Sequence, residues 1–314
     1  MRLLCFIDNL GGGGAQRQLC RLAVLLKGAG LDVAMLTYHE GGFFADQLDR
    51  AGIPRWVAGG GGGLRRVLAI RRTIATVRPD VVLAFLPMPC LYAELAGLLG
   101  RRWGLIVGER STTPDAQSPK MRLMRALHRT ADAVVTNSHA NRRLIETSVP
   151  ALRGRVSTVY NAVDLEAFAP TPVPHRAGDP LRFVVAASYQ TLKNPLAWIE
   201  ATRLARDEGG ADVTTDWYGG GAARGRGHDV RSRAEALITS CNLTGVVRLH
   251  DACSDIASRY AEAHVVALPS LIEGLPNAVC EGMACGRPAA AGHVSDAAYL
   301  VAHRRNGVLF EPTD

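Results

Sequence analysis

Two glutamates, Glu273 and Glu281, stand eight positions apart in the last fifth of the chain. The residues around them read Pro269-Ser270-Leu271-Ile272-Glu273-Gly274-Leu275-Pro276-Asn277-Ala278-Val279-Cys280-Glu281-Gly282-Met283-Ala284-Cys285-Gly286-Arg287-Pro288. The apolar run Val265–Leu268 predicts a strand that ends just before them. Pro276 suits the first turn of a following helix, and Cys285-Gly286 closes it. Glu273 is then at the carboxyl end of a strand, where α/β sheets bind ligands, and Glu281 is about a turn and a half into the helix. The amides of Gly274, Leu275 and Asn277 lie at the helix start, where backbone N–H groups receive an anion. Carboxylates accept hydrogen bonds from sugar and ribose hydroxyls, and amides take a diphosphate. The combination suits a sugar nucleotide.

A second candidate is the loop Asp8-Asn9-Leu10-Gly11-Gly12-Gly13-Gly14-Ala15-Gln16-Arg17, between a predicted strand (Leu3–Ile7) and a predicted helix (Ala15–Lys27). Gly12, Gly13 and Gly14 let the backbone approach a phosphate at a helix N-terminus. The spacing excludes a dinucleotide fingerprint, because Gln16 and Arg17 stand where a third glycine or alanine is required. No Gly-Lys-Ser/Thr follows, so it is not a nucleotide P-loop either. A flexible tight turn remains open for this loop, and the run Gly59–Gly63 reads as a plain loop.

Short apolar strands alternate with amphipathic helices along the whole chain, the pattern of β-α-β units and a parallel sheet. Further strands are predicted at Val33–Thr37, Val81–Phe85, Leu105–Val107 and Ala133–Thr136, with a helix over Leu64–Val77. Residues 169–180 hold four prolines and predict a stiff linker. The alternation restarts with strands at Phe183–Ala187, Thr214–Tyr218 and Val246–Leu249 and helices at Pro195–Asp207, Ser232–Cys241, Asp255–Glu262 and Pro276–Ala284. The expected organisation is a domain over 1–168, a linker over 169–180 and a second domain over 181–314. Both domains are doubly wound α/β, facing a cleft.

Composition narrows the partners. Of 314 residues, 47% are apolar and 21% charged, which excludes disorder. No apolar stretch reaches the roughly 20 residues of a spanning helix, and Asp8 follows too soon for a signal peptide. Seven scattered cysteines without a Cys-x-x-Cys pair point away from zinc and disulfides and towards a reducing cytoplasm. Residues 1–170 hold 22 basic and 13 acidic side chains, whereas residues 171–314 hold 14 and 16. The basic half suits an anionic partner, and equally an arginine-rich proteome. Aromatic residues are 6%, with no stacking platform for nucleic acid. In Lys120-Met121-Arg122-Leu123-Met124-Arg125-Ala126-Leu127-His128-Arg129, the residues Arg122, Arg125 and Arg129 fall on one helical face. That face, with Lys120, suits an anionic bilayer; a helix packed on the core with solvated arginines fits as well.

The stretch around Glu273 and Glu281 resembles the E-x7-E motif of the retaining glycosyltransferases of family 4, with its flanking Glu-Gly-Leu-Pro-Asn and Met-Ala-Cys-Gly-x-Pro. Four more stretches agree in order: Gly12-Gly13-Gly14-Ala15-Gln16-Arg17, Thr136-Asn137-Ser138, Val159-Tyr160-Asn161-Ala162-Val163-Asp164 with Phe168, and Lys193-Asn194-Pro195. The resemblance implies a GT-B fold of two Rossmann-like domains. It also implies that Lys193 neutralises the donor diphosphate, Glu281 holds the ribose and Glu273 bonds the transferred sugar. Gly274, Leu275, Pro276 and Asn277 would border the sugar and phosphate, and no metal is required. Arg110, in Gly108-Glu109-Arg110-Ser111, is the acceptor-side candidate; an ion pair with Glu109 or Asp115 is its bland alternative.

The chain also departs from the family pattern. Ala187 and Ser188 replace a Gly-Arg pair, so Ser188 lines the donor site where a cation is usual. The glycine loop of the second domain reads Gly219-Gly220-Gly221-Ala222. Gly292-His293-Val294-Ser295 and Tyr299 stand where other residues are common. The segment Gly307–Pro312 precedes further helices in the family, so the chain ending at Asp314 is expected to lack the C-terminal crossing helix. The implied function is sugar transfer from a nucleotide sugar, UDP-linked, to a polyprenyl-diphosphate-linked or saccharide acceptor of the cell envelope, at the cytoplasmic face of the membrane. An epimerase or phosphorylase of the same fold and a non-catalytic nucleotide-sugar-binding protein are the alternatives.

Overall fold

The computed structural model describes residues 1–59, 61–98, 100–110, 112, 114–173, 178–220 and 229–314. Ser111, Gly221, Ala222 and linker residues 174–177, all singled out above, lie outside the described residues, as do Gly60 and Leu99. Packing divides the chain into two units, Met1–Asn161 and Ala162–Asp314.

Unit 1 runs β1 (Arg2–Phe6), α1 (Gly14–Gly28), β2 (Asp32–Thr37), α2 (Ala45–Arg50), β3 (Arg55–Val57), α3 (Gly63–Val77), β4 (Val81–Phe85), α4 (Pro87–Leu98), β5 (Gly104–Glu109), α5 (Pro119–Ala126), β6 (Ala133–Thr136), α6 (His139–Ser148) and β7 (Val156–Thr158). Its seven strands are all parallel, in the order β3-β2-β1-β4-β5-β6-β7. Both faces of the central strands are covered, which is why they read as unbroken apolar runs. Leu4, Phe6, Leu36, Val82 and Ala84 face one core with Val67, Ile70 and Ile74 of α3. Leu3, Cys5, Val33, Met35 and Leu83 face the other with Leu19 and Ala23 of α1. The strand order reverses between β1 and β4, so ligand-binding loops are expected beyond the carboxyl ends of that pair.

Unit 2 runs β8 (Leu181–Ala186), α7 (Pro195–Asp207), β9 (Val213–Tyr218), α8 (Arg231–Ser240), β10 (Val247–His250), α9 (Ile256–Glu262), β11 (Val265–Leu268), α10 (Asn277–Ala284), β12 (Ala289–Gly292), α11 (Ala297–Leu300) and β13 (Gly307–Phe310). The six strands are parallel in the order β10-β9-β8-β11-β12-β13, reversing between β8 and β11. Helix α10 lies tightly on β11: a Cβ on Gly282 would meet Val266 at 2.6 Å, so glycine sets the approach.

The chain entering unit 2 is fixed by a buried arginine. Arg287, 2% exposed, donates to the carbonyls of Tyr260, Ala261, Thr171 and Pro172 and to Thr171 Oγ1. These five oxygens reach all three guanidinium nitrogens, three of them at Nη2, which is how a buried arginine is accommodated without a carboxylate.

Candidate functional site

The loops leaving β8 and β11 flank the switch point of the second sheet, and they carry Lys193 and Glu273. Lys193 Nζ lies 2.5 Å from Glu273 Oε1, although the residues are 80 positions apart. Their side chains are 23% and 11% exposed, so the pair is half-desolvated and yet reachable. Two backbone features hold it. The Leu271 amide donates to the Leu192 carbonyl at 2.8 Å, tying loop to loop. Asn194 closes the Lys193 turn in the left-handed region (φ 61°), and its Nδ2 donates to the Pro312 carbonyl at 2.7 Å.

Gly274, Leu275 and Pro276 follow Glu273 as buried residues, and Pro276 is the N-cap of α10. The helix starts at Asn277, one residue later than the sequence predicts. Ser295 Oγ donates to the Gly274 carbonyl. Glu281 is buried in the second turn of α10. Ser188 lies two residues beyond the end of β8, and its carbonyl accepts from the Gln190 amide. Gly219 follows β9, and a Cβ there would stand 2.0 Å from the Ala187 carbonyl oxygen. Only glycine lets these two loops approach so closely. The structure therefore assembles Lys193, Glu273, the Gly274–Asn277 turn, Glu281, Ser188 and Gly219 around the carboxyl ends of adjacent strands of one unit.

Unit 1 carries the remaining candidates. Gly12, Gly13 and Gly14 lead into α1 from β1 at the first switch point, with Gly13 as the N-cap. None of the three has positive φ. A Cβ on Gly13 would meet Gln16 Oε1 at 2.3 Å, while one on Gly12 meets nothing within 4 Å. Gln16 is buried; it donates to Asp8 at 3.1 Å, and its Oε1 has no partner.

Arg110 follows β5. Its guanidinium lies 4.6 Å from the Phe85 ring centroid and donates to the Val159 carbonyl at 3.2 Å and to Asn161 Oδ1. Its Nε is buried without a partner, and among the described residues no carboxylate lies within 4.0 Å of it. Burial lowers its pKa to about 10, since nothing anionic offsets the lost solvation. The alternative pairing with Glu109 fails for a clear reason. Glu109 is already held by Arg125, Nε to Oε1 at 2.7 Å and Nη2 to Oε2 at 2.8 Å.

Arg125 is accordingly not on a solvated basic face, which corrects the sequence reading. It is 1% exposed, and its other nitrogen, Nη1, donates to the Ala116 carbonyl. Lys120 and Arg122 remain exposed on α5, while Arg129 sits in the 3-10 turn (Leu127–Thr130) beyond it. The buried stripe is Met121, Arg125 and His128. His128, unremarked in the sequence, completes the network, with Nδ1 2.5 Å from Glu94 Oε1 and Nε2 3.1 Å from Glu109 Oε1. Burial alone would lower the His128 pKa, but hydrogen bonds to Glu109 and Glu94 outweigh it and raise the value to about 9. Burial alone would raise Glu109, but His128 and Arg125 hold it at about 2. Glu94 has only His128, and burial pushes it upward. Two carboxylates and two cations thus cancel inside the core.

Among the described residues there is no group of three or more His, Cys, Asp or Glu able to hold a metal ion, and no helix is long and apolar enough to cross a membrane. All seven cysteines are free.

Comparison with known proteins agrees with this fold. A family model described as Glycosyltransferase Family 4 matches residues 12–167, and one described as Glycosyl transferases group 1 matches residues 180–314. A D-inositol 3-phosphate glycosyltransferase of Xylanimonas cellulosilytica is 30% identical over 199 residues, 59% of this chain and 46% of the relative. One of Kineococcus radiotolerans is 33% identical over 178 residues, 52% of this chain and 40% of the relative. The match spans less than half the length of each of these curated relatives. Anabaena HepE, solved in complex with UDP, superposes with a TM-score of 0.84 at 20% identity, covering 100% of this chain and 86% of that one. The lipopolysaccharide outer core galactosyltransferase WaaB superposes with a TM-score of 0.76 at 17% identity, covering 99% and 86%.

Proposed function

Because the chain belongs to the glycosyltransferases that these two family models describe, we propose that it moves a sugar from a UDP-sugar to a lipid-linked or polysaccharide-precursor acceptor, with retention at the anomeric carbon. The observation that carries this reading is the Lys193–Glu273 pair across the β8/β11 switch point, with Glu281 buried on the adjoining helix. The diphosphate of the donor lies against Lys193 and the α10 start, where a point charge and aligned amides neutralise it without a metal. Glu273 accepts from hydroxyls of the transferred sugar, and Glu281 from the ribose. In the transfer the anomeric carbon–phosphate oxygen bond breaks and a bond to the acceptor oxygen forms. The acceptor proton passes to the departing phosphate on the same face. HepE has been solved in complex with UDP and with UDP-glucose, which supports the uridine donor.

On the acceptor side, Arg110 is a desolvated cation with an unpartnered Nε and, among the described residues, no carboxylate within 4.0 Å, which supports an acceptor bearing phosphate. The name of the curated relatives, D-inositol 3-phosphate glycosyltransferase, supports the same class. Seven free thiols support a reducing, cytoplasmic setting.

Calorimetry with UDP, GDP and their sugar conjugates tests the donor reading. Micromolar binding of UDP that is lost in Glu281→Ala is the expected result. Absence of binding to every nucleotide overturns it. Conversion of the donor sugar without an acceptor identifies an epimerase instead.

A further inference from the structure

Helices α3 and α4 pack side by side on unit 1 and leave a groove of about 550 Å³ between them. Its walls are Leu64, Val67 and Leu68 from α3 and Met88, Leu91 and Leu98 from α4. Several of these project well beyond what a groove wall requires: Leu64 is 73% exposed and Leu98 54%. An apolar strip of this kind on a monomer surface marks a contact with something apolar. The groove is also firmly built. Arg71 Nη1 donates to the Ala96 carbonyl at 2.5 Å and to the Gly100 carbonyl at 3.0 Å, locking α3 to the end of α4.

Charge identifies the occupant. Residues 59–108 contain seven arginines and only two acids, Asp80 and Glu94. Glu94 is buried against His128, and Asp80 accepts from the Arg2 amide. Helix α3 itself has four arginines and no acid. Arg65 and Arg72 are exposed on it, and among the described residues neither meets a carboxylate within 4.0 Å. A helix with leucines on one side, arginines beside them and no carboxylate to repel phosphates is the pattern of an interfacial helix on anionic lipid. A protein partner would meet the same leucines, but it gives no reason for acids to be missing throughout.

We infer that the α3–α4 face is a membrane-docking surface that seats lipid acyl chains in the groove and anionic headgroups on Arg65 and Arg72. This moves the bilayer contact away from α5, whose Arg125 is buried, and gives the lipid-linked acceptor of the preceding section a surface from which to enter. The inference deepens that reading but stands on its own observations, and its test uses no sugar.

The full chain, without donor or acceptor, is sedimented with vesicles of phosphatidylcholine alone and of phosphatidylcholine mixed with phosphatidylglycerol. Binding to the mixed vesicles only is expected. Each arginine removed in Arg65→Ser and Arg72→Ser lowers the partition coefficient about fivefold. Leu64→Asp with Leu68→Asp lowers it at least about tenfold. Leu98→Asp, on the opposite wall, gives the same loss and guards against a local collapse of α3. Lys120→Ser with Arg122→Ser leaves binding unchanged. No binding to anionic vesicles overturns the inference. So does binding that survives the α3 and α4 substitutions and disappears with those at Lys120 and Arg122. A dimer in sedimentation velocity that Leu64→Asp dissolves also overturns it, because the face is then covered by a second copy. UDP binding measured on the same samples is independent, so failure of docking and failure of the donor reading are told apart.

Discussion

Replacing Arg125 by leucine separates the two readings of that residue by a large margin. On a solvated face the substitution is worth no more than about 0.5 kcal/mol. In the structure the guanidinium and the Glu109 carboxylate are 1% and 3% exposed and joined by two bonds, at 2.7 and 2.8 Å. Removing the arginine leaves Glu109 with one bond, 3.1 Å to His128, in a buried site. Breaking one side of a buried pair costs about 3–5 kcal/mol, chiefly through the charge left behind. Hydrogen exchange read by mass spectrometry reports this locally. Amides of β4, β5 and β6 exchange about 10²–10⁴ times faster in Arg125→Leu, while those of β8 and β11 serve as the unchanged reference. Arg129→Leu has no comparable effect, since Arg129 is exposed. Adding Glu109→Gln to Arg125→Leu recovers part of the loss, because the orphaned charge is gone. If Arg125→Leu exchanges like wild type, or no faster than Arg129→Leu, the buried network is not what holds this part of the unit.

The same network gives unit 1 a pH window. The His128 pKa is raised to about 9, so its contribution is complete below its unfolded value near 6.5 and is lost as pH rises through about 9. Glu109 is lowered to about 2, so its contribution is complete above about 4.5 and is lost as pH falls through about 2. Urea midpoints of unit 1 should fall between pH 7 and 10 in wild type, and that slope should vanish in His128→Gln. Gly219→Ala brings a methyl group to within 2.0 Å of the Ala187 carbonyl; we expect UDP affinity by calorimetry to drop at least about tenfold with the fold kept by circular dichroism. Lys193→Ala should lower turnover about 10²–10³-fold with an unchanged melting curve. Arg110→Lys should raise KM for a phosphorylated acceptor about tenfold and leave UDP binding alone, because ammonium cannot reproduce the planar stacking on Phe85.

The elements that build the two sheets were largely legible. Val81–Phe85, Ala133–Thr136, Pro195–Asp207 and Val265–Leu268 agree residue for residue, because each is a strongly patterned run between turn residues. β3 and β7 were not legible: three-residue edge strands are too short to show a period. β12 was missed because Ala-Ala-Ala-Gly has none of the branched or aromatic residues that mark strands. At the site, the motif residues were visible locally, but the meeting of Lys193 with Glu273 was not. It follows from β8 and β11 being neighbours, a fact of topology that no local pattern holds. Arg125 was misread for the opposite reason. Arg122, Arg125 and Arg129 do share a helical spacing, yet Met121, Arg125 and His128 share one too. Glu109, pointing from the end of β5, decided between the two faces.

The Arg287 clamp bears on how the protein can be taken apart. Composition invites a cut after the prolines, at Leu181, where β8 begins. Such a fragment would contain the arginine but not Thr171 or Pro172, and three of the five oxygens that surround the guanidinium would be missing. A charge sealed in the core by its own fold would become a buried cation with bare N–H groups. The minimal piece of unit 2 that can stand alone therefore begins before the prolines, and the linker's first residues are structurally part of the unit that follows them.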